Sequence, residues 1–479
     1  MSTYKHGVYG EYMPSNEQIV TTSNTIPIYI GVAPVHRVLD SNNKVNKPIL
    51  ISSLEDAQIE LGYSDNDDFN KFTLSASIFA HFKNKVQPLG PIILINVLDP
   101  NFNKIKVEDT ETPVINKKVI LGADVIVSTI SIEDKILGTD YKINIDFITG
   151  SVIITFLTEV EETVTLNYST VTVNTTPQDI IGSYDSNTGE RKGLYCIQTV
   201  YEDLNIAPNI LCVPGYGKEI AVRNKLLELS KNIGGQWDSI IYTDLDPSIS
   251  NYNQALEKKY DEGLSSIDEK LCWPMGKMQG KNVFMSILAI VRTQQTDVKN
   301  GGVPCETPSN KMIDISGLVT DSGEPIKLNI ELANKLNSKG ITTGLFYGGK
   351  WVLWGSHMSN FIHGETNKPE ETFDVNRRMD IYLNNDFKKR NADKVDSPMT
   401  RNDIDALINT EQIRLNALVS EGKLLFGTIS FRSSDNIASD LMQGNFIFDT
   451  VTTATIPAKS LTQKMQYSSQ GIKNMIGGE

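Results

Sequence analysis

Hydrophobic and polar positions change their rhythm several times along the chain, and each change marks a different kind of element. Residues 26–34, IPIYIGVAP, form an almost unbroken apolar run that predicts a strand buried on both faces. Residues 67–85, DDFNKFTLSASIFAHFKNK, read as a helix, and 91–98, PIILINVL, as a second buried strand. Ahead of these, Tyr4, His6, Val8 and Tyr12 alternate with Lys5, Gly7, Tyr9 and Glu11, while Gly7, Gly10 and Pro14 exclude a helix. The first 25 residues therefore read as an extended arm.

Between residues 99 and 193 the helical period all but disappears. Strand-like runs take over at KKVIL (117–121), DVIV (124–127), YKINIDF (141–147), VIITF (152–156) and TVTLNY (163–168). A hairpin is predicted across Thr149-Gly150, and the stretch as a whole reads as an all-β domain. From Leu194 to Gly355 strands and helices alternate again. Strands are predicted at 209–215 and 237–246, a helix at 217–235 closed by Gly234, and another at 328–340 capped by Gly340, the order of a mainly parallel sheet covered by helices.

Two further helices follow. One spans 374–390, DVNRRMDIYLNNDFKKR; the other runs from Thr400 to Glu421, with Thr400 and Asp403 as a capping box and Gly422 just past the end. Ile404, Leu407, Ile408, Leu415, Leu418 and Val419 make the inward stripe of this second helix. The opposite face carries Asn402, Asp405, Ala406, Asn409, Ile413, Asn416, Ala417 and Ser420, small and nearly uncharged with an isoleucine in its middle. That composition suits either a second packing surface or an exposed face with one stray apolar residue. After Asn445, Phe446 and Phe448 alternate, and Leu461, Met465 and Tyr467 fall on one face of a polar strand, too polar to form a core alone.

Composition narrows the function classes. At 479 residues the chain should hold about two to four domains. Its net charge of −13 is the wrong sign for general phosphate binding, so nucleic acid is not an expected partner. Residues 99–193 hold 8 basic and 15 acidic side chains, about half the net charge, as expected of a solvated, outward module. The amino-terminal residues lack a secretory pattern, no apolar run is long enough to span a bilayer, and the four cysteines show no Cys-x-x-Cys spacing.

Candidate chemistry is thin. Gly344–Trp351, GLFYGGKW, meets the G-x-x-x-x-G-K part of a phosphate loop, but Trp351 replaces the Ser/Thr and a strand-like segment follows instead of a helix. Pro214–Glu219 lacks the third glycine of a dinucleotide fingerprint. His357, His363 and Glu365 have no recognised metal spacing, Asp244 and Asp246 end a strand in a turn-forming sequence, and no G-x-S-x-G elbow occurs. No catalytic residue, metal or cofactor is assigned.

Several segments together resemble the contractile tail sheath family of bacteriophages and phage-tail-like particles. They are HGVYGEYMPS (6–15), ILISSLEDAQIELGYSDNDDFNKFTLSASIFAHFKN (49–84), ETPSNKMIDISGLV (306–319), ELANKLNSKGITTGLFYGGKWVLWGS (331–356), VNRRMDIYL (375–383), LNALVSEGKLLFGTISF (415–431) and TIPAKSLTQKMQY (455–467). The likeness covers nearly the whole chain outside the acidic β region. Where many members carry asparagine-arginine-threonine, this chain has Ser356-His357-Met358, and no role is transferred there.

The resemblance implies an α/β and α+β multidomain fold, a sheath core with an all-β inserted domain and extended N- and C-terminal arms. The expected divisions are an N-terminal arm at 1–25, an α/β domain at 26–98 and 194–355 interrupted by the insertion at 99–193, an inner domain facing the tube at 356–444, and a C-terminal arm at 445–479. It further implies stacked hexameric rings that contract around a tail tube. Strand exchange would use Tyr4, His6, Val8, Tyr9 and Tyr12 in one arm and Phe446, Phe448, Leu461, Met465 and Tyr467 in the other. The partners would be further copies of the chain, a tube protein, and baseplate and terminator proteins, without nucleic acid or membrane insertion, in a virion tail or tailocin assembled in the host cytoplasm. A nucleotide-binding or hydrolytic enzyme and a non-contractile shell or surface-layer protein are the alternative readings.

Overall fold

The structure is a computed structural model, which describes residues 21–22, 25–102 and 104–477. The expected N-terminal strand-exchange residues, Tyr4 to Tyr12, lie outside the described residues. In chain order the first unit contains β1 (Pro27–Gly31), β2 (Pro48–Ile51), α1 (Leu54–Leu61), α2 (Thr73–Phe82) and β3 (Ile92–Asn96). Ser53 and Asp56 form the capping box that starts α1.

The chain then leaves for a β module: β4 (Lys104–Pro113), β5 (Lys118–Leu121), β6 (Ser131–Ile132), β7 (Tyr141–Ile145), β8 (Val152–Phe156) and β9 (Thr163–Val171). These make two three-stranded antiparallel sheets, ordered β5-β8-β7 and β4-β9-β6. Val119, Tyr141, Val152, Ile154, Phe156 and Leu166 pack between them. The module is held to the α/β unit by partly buried hydrogen bonds as well as by chain connection. Arg37 Nε donates to Ala123 O at 3.1 Å, Asp65 N to Phe147 O at 2.9 Å and Ser64 Oγ to Ile148 O at 3.2 Å.

On its return the chain adds β10 (Ile210–Cys212), α3 (Ile220–Leu229), β11 (Ile240–Asp244), α4 (Tyr252–Asp261), β12 (Glu269–Cys272), α5 (Met285–Lys299), α6 (Ile330–Asn337), β13 (Ile341–Tyr347) and β14 (Lys350–Trp354). The two α/β segments share one eight-stranded sheet ordered β14-β13-β12-β11-β10-β1-β3-β2. Its six inner strands are parallel, and an antiparallel strand closes each edge. Strand alternation explains the two cores. Tyr29, Leu94, Cys212 and Tyr242 face one side with α2 and α5, whereas Ile28, Ile30, Ile93, Leu211 and Ile241 face the other with α3.

Three expectations change against the structure. DVIV (124–127) is not a strand: only Val125 makes a bridge, to Thr170, and Val127 opens a short 3-10 turn. The helix predicted over 67–85 begins only at Thr73. That predicted over 217–235 ends at Leu229, not at Gly234, because the chain there turns back to pair Ile233 with Trp237. Among the described residues the segment from Thr455 to Ser468 pairs with no strand, and Leu461, Met465 and Tyr467, expected to exchange with a neighbouring copy, stand in solvent.

Candidate assembly surfaces

The C-terminal part folds as a small unit of its own around α7 (Asp374–Arg390), α8 (Arg401–Ser420), β15 (Leu424–Ser430) and β16 (Asp449–Ala454). The Thr400–Asp403 capping box starts α8. Leu407, Leu415 and Leu418 of α8 pack with Met379 and Leu383 of α7 and with Leu424 and Ile429 of β15. Gly427 permits the close approach of sheet and helix, since a Cβ there would lie 3.1 Å from the Leu415 Cβ. Glu411 is buried on α8, where Arg390 Nη2 at 2.5 Å and Asn391 Nδ2 at 3.1 Å donate to its carboxylate.

The opposite face of α8 is open. Asn402, Ala406, Asn409, Ile413, Asn416, Ala417 and Ser420 are exposed, Ile413 by 70%, and Asp405 is half-buried beside Arg401. Among the described residues, strands β15 and β16 pair only with each other, so both outer edges of this two-stranded sheet lack a further strand. Phe446 and Phe448 precede β16 and pack inside the chain, against Phe431, and Phe448 also against Phe387. Beyond β16 the chain has no regular secondary structure as far as Ser468, with Leu461, Met465 and Tyr467 each more than 80% exposed, and then forms a short helix, α9 (Gln470–Met475).

Buried ion pairs weld this unit to the central sheet. Lys270 of β12 pairs with Asp374 at the start of α7, both fully buried, and Lys270 Nζ also donates to Gly355 O at 3.0 Å. Arg378, one turn further on, pairs with Asp297 on α5. Asp297 Oδ2 also accepts from Thr25 Oγ1 at 2.7 Å, and Gln294 Nε2 donates to Thr25 O at 2.9 Å. The point where the N-terminal segment enters the fold and the start of α7 thus share one carboxylate. The sequence reading missed these residues; their signal was TQQTD (293–297), a polar run that continues an apolar helix and is wholly buried.

The enzyme candidates resolve into structural features. GLFYGGKW is the β13–β14 hairpin, with Gly348 at φ 58° and Gly349 at φ 80° making a two-residue turn of the primed type, so no helix N-terminus faces a phosphate. Asp244 accepts from Ser286 N at 2.9 Å and from Ser286 Oγ, capping α5 from a neighbouring strand; burial pushes its carboxyl up to about 7 against those bonds. Asp246 accepts from Ser248 N and Oγ in a turn. His357 is stacked between Phe361, 3.6 Å away centroid to centroid, and Phe373 at 4.5 Å, and its pKa is lowered to about 4 by burial and then by Lys459, whereas His363 and Glu365 are exposed. Among the described residues no group of three or more His, Cys, Asp or Glu could hold a metal, and no helix is long and apolar enough to cross a membrane.

No family model matches the chain. In sequence it is similar to a major tail sheath protein of Serratia phage KSP20, 23% identical over 301 residues that span 62% of this chain and 72% of that one. In fold it is similar to a chain of the six-fold symmetrised cryo-EM structure of the anti-feeding prophage baseplate, with a TM-score of 0.60 at 15% identity, covering 98% of this chain and 100% of that one. It also matches a chain of the contracted PVC sheath complex of an extracellular contractile injection system, with a TM-score of 0.56 at 14% identity over 98% and 99% of the two chains. A sheath tail protein from Desulfitobacterium hafniense aligns with a TM-score of 0.51 at 10% identity over 94% of this chain and all of its own. Sequence and fold together mark the chain as one with the architecture of contractile tail sheath proteins, which it resembles over nearly its whole length.

Proposed function

We propose that this chain is the structural subunit of a contractile tail sheath, with no enzymatic role. Copies would polymerise as stacked hexameric rings around a tail tube, held in a metastable extended packing. A baseplate signal would let each ring rotate and move outward into a better-packed lattice, driving the tube through the target envelope. A gain of a few kcal/mol per subunit suffices when it is summed along the stack. Head-to-tail contacts whose rotation does not close build such a helix.

The observation that carries the reading is the segment from Thr455 to Ser468, mostly exposed and, among the described residues, without a strand partner, on a chain that also holds a two-stranded sheet. A segment that lacks a partner and a sheet that lacks strands are complementary between copies. Residues 1–25 would act as a second arm and the open face of α8 would meet the tube, with 356–444 innermost and the acidic module at 99–193 outermost. Baseplate and terminator proteins would bound the stack, and assembly would take place in the host cytoplasm. Deleting residues 1–20 tests the arm directly. The truncated chain is expected to keep the circular dichroism and melting of the full chain yet form no tubes; regular tubes would contradict the reading.

A further inference from the structure

Past its pinned start, α7 forms one wall of a cleft at the N-terminal ends of β1, β10 and β11. Ile26, Ile206, Ile210, Ile240, Ile381 and Pro304 give the cleft apolar walls, and its volume of about 400 Å³ leaves room for one aromatic side chain. Two polar groups on its lining are unused. Asn209 Oδ1 is buried, yet no described residue donates a hydrogen bond to it, and a buried acceptor without a donor is costly. At the mouth, Lys389 is exposed. Its neighbours on α7 are paired, Lys388 with Asp238 and Arg390 with Asp386 and Glu411, but among the described residues no carboxylate meets Lys389.

A matching set of groups stands free at the end of α4. Tyr260, in the last turn of that helix, is 86% exposed, so it does not fill the cleft of its own chain. Asp261 beside it is exposed and engages no cation among the described residues. It also closes α4 at the end where the helix dipole disfavours a carboxylate, so the fold itself gives no reason for an acid there. The turn that carries both is pinned. Lys259 is buried, and its Nζ donates to Lys339 O and to Ser359 O, the latter at 2.5 Å. A ring carried on a pinned helix end gives up little freedom when it docks.

We propose that Tyr260 and Asp261 of one copy dock into this cleft of a second copy, with the ring between the apolar walls, the phenol O–H donating to Asn209 Oδ1 and the Asp261 carboxylate paired with Lys389. The contact joins folded bodies and uses neither terminal arm; it deepens the sheath reading and rests on it. Helix end and cleft are different patches of one surface, so the contact runs head to tail from copy to copy instead of closing on a pair. An aromatic anchor seated in a pocket supplies the affinity, and the ion pair at the rim sets the orientation.

Charge reversal and cross-linking test this in the full-length chain. Lys389→Glu is expected to lower the yield of tubes, counted by negative-stain electron microscopy, at least about tenfold. Adding Asp261→Lys to that variant is expected to restore the yield to within about threefold of the parent, a rescue that damage to the fold would not give. Both positions are exposed, so the variants should melt with the parent. In the second arm, chains carrying Asp261→Cys are mixed at high concentration with chains carrying Lys389→Cys under mild oxidation; three of the four native cysteines are buried and the fourth is half-buried. A disulfide-linked dimer is expected from the mixture and not from either variant alone. Undiminished tubes from Lys389→Glu, or no mixed dimer, would overturn the assignment, whether residues 1–20 of the same chain or another protein then occupies the cleft. A mixed dimer without tubes from the parent would leave the contact standing and count against the sheath reading itself.

Discussion

At the scale of single residues, the side chains that matter most are charged or titratable and buried. Lys270 and Asp374 are both fully buried, with Thr307 Oγ1 also donating to Asp374 Oδ2 at 3.0 Å. Removing one partner of such a pair strands the other charge, whereas replacing both by apolar groups costs little. Asp374→Asn is therefore expected to lower unfolding stability in urea by about 3 kcal/mol, and Lys270→Met with Asp374→Leu to recover most of the loss. His357 makes a second prediction. Its folded pKa, about 4, lies below the ordinary value of 6.5, so the neutral ring is the folded form. Its contribution to stability is present above pH 6.5 and is lost as pH falls through about 4. His36 at about 3 and His81 at about 4, both lowered first by burial, act in the same direction. In melting curves collected across this range, His357→Phe is expected to reduce by about one the protons taken up on unfolding, and an unchanged pH slope would contradict the assignment.

At the scale of elements, α8 has two faces with separate duties. Ile413 is 70% exposed, so Ile413→Lys is expected to change stability by no more than about 0.5 kcal/mol. If the open face meets the tube, the same variant should fail to co-sediment with tube protein while still assembling with itself. Both faces of α8 were legible in the sequence, as was its start, because amphipathic period and capping chemistry are local properties. Helix α7 was legible for the same reason. Helix α5 was not recognised, because Met285 to Val291 and then Thr293 to Asp297 are all buried, which leaves no polar stripe to mark the period. Strand β4 was missed from the other direction: KIKVEDTETP is exposed on both faces and is a strand because β9 pairs with it. The polar tail shows a strand period in the sequence, and period alone cannot supply a partner.

At the scale of the whole molecule, buried ion pairs join α7 to the central sheet and to α5, and hydrogen bonds join the β module to the α/β unit, while the segment that follows β16 is mostly exposed. The Asp297 carboxylate and the buried Lys270–Asp374 pair join Thr25, α5, β12 and α7 to one another. The most direct measurement is negative-stain electron microscopy of the purified full-length protein expressed alone. The account predicts hollow helical tubes with six-fold end views. Monodisperse globular particles at high concentration, unchanged when purified tube protein is added, would contradict it.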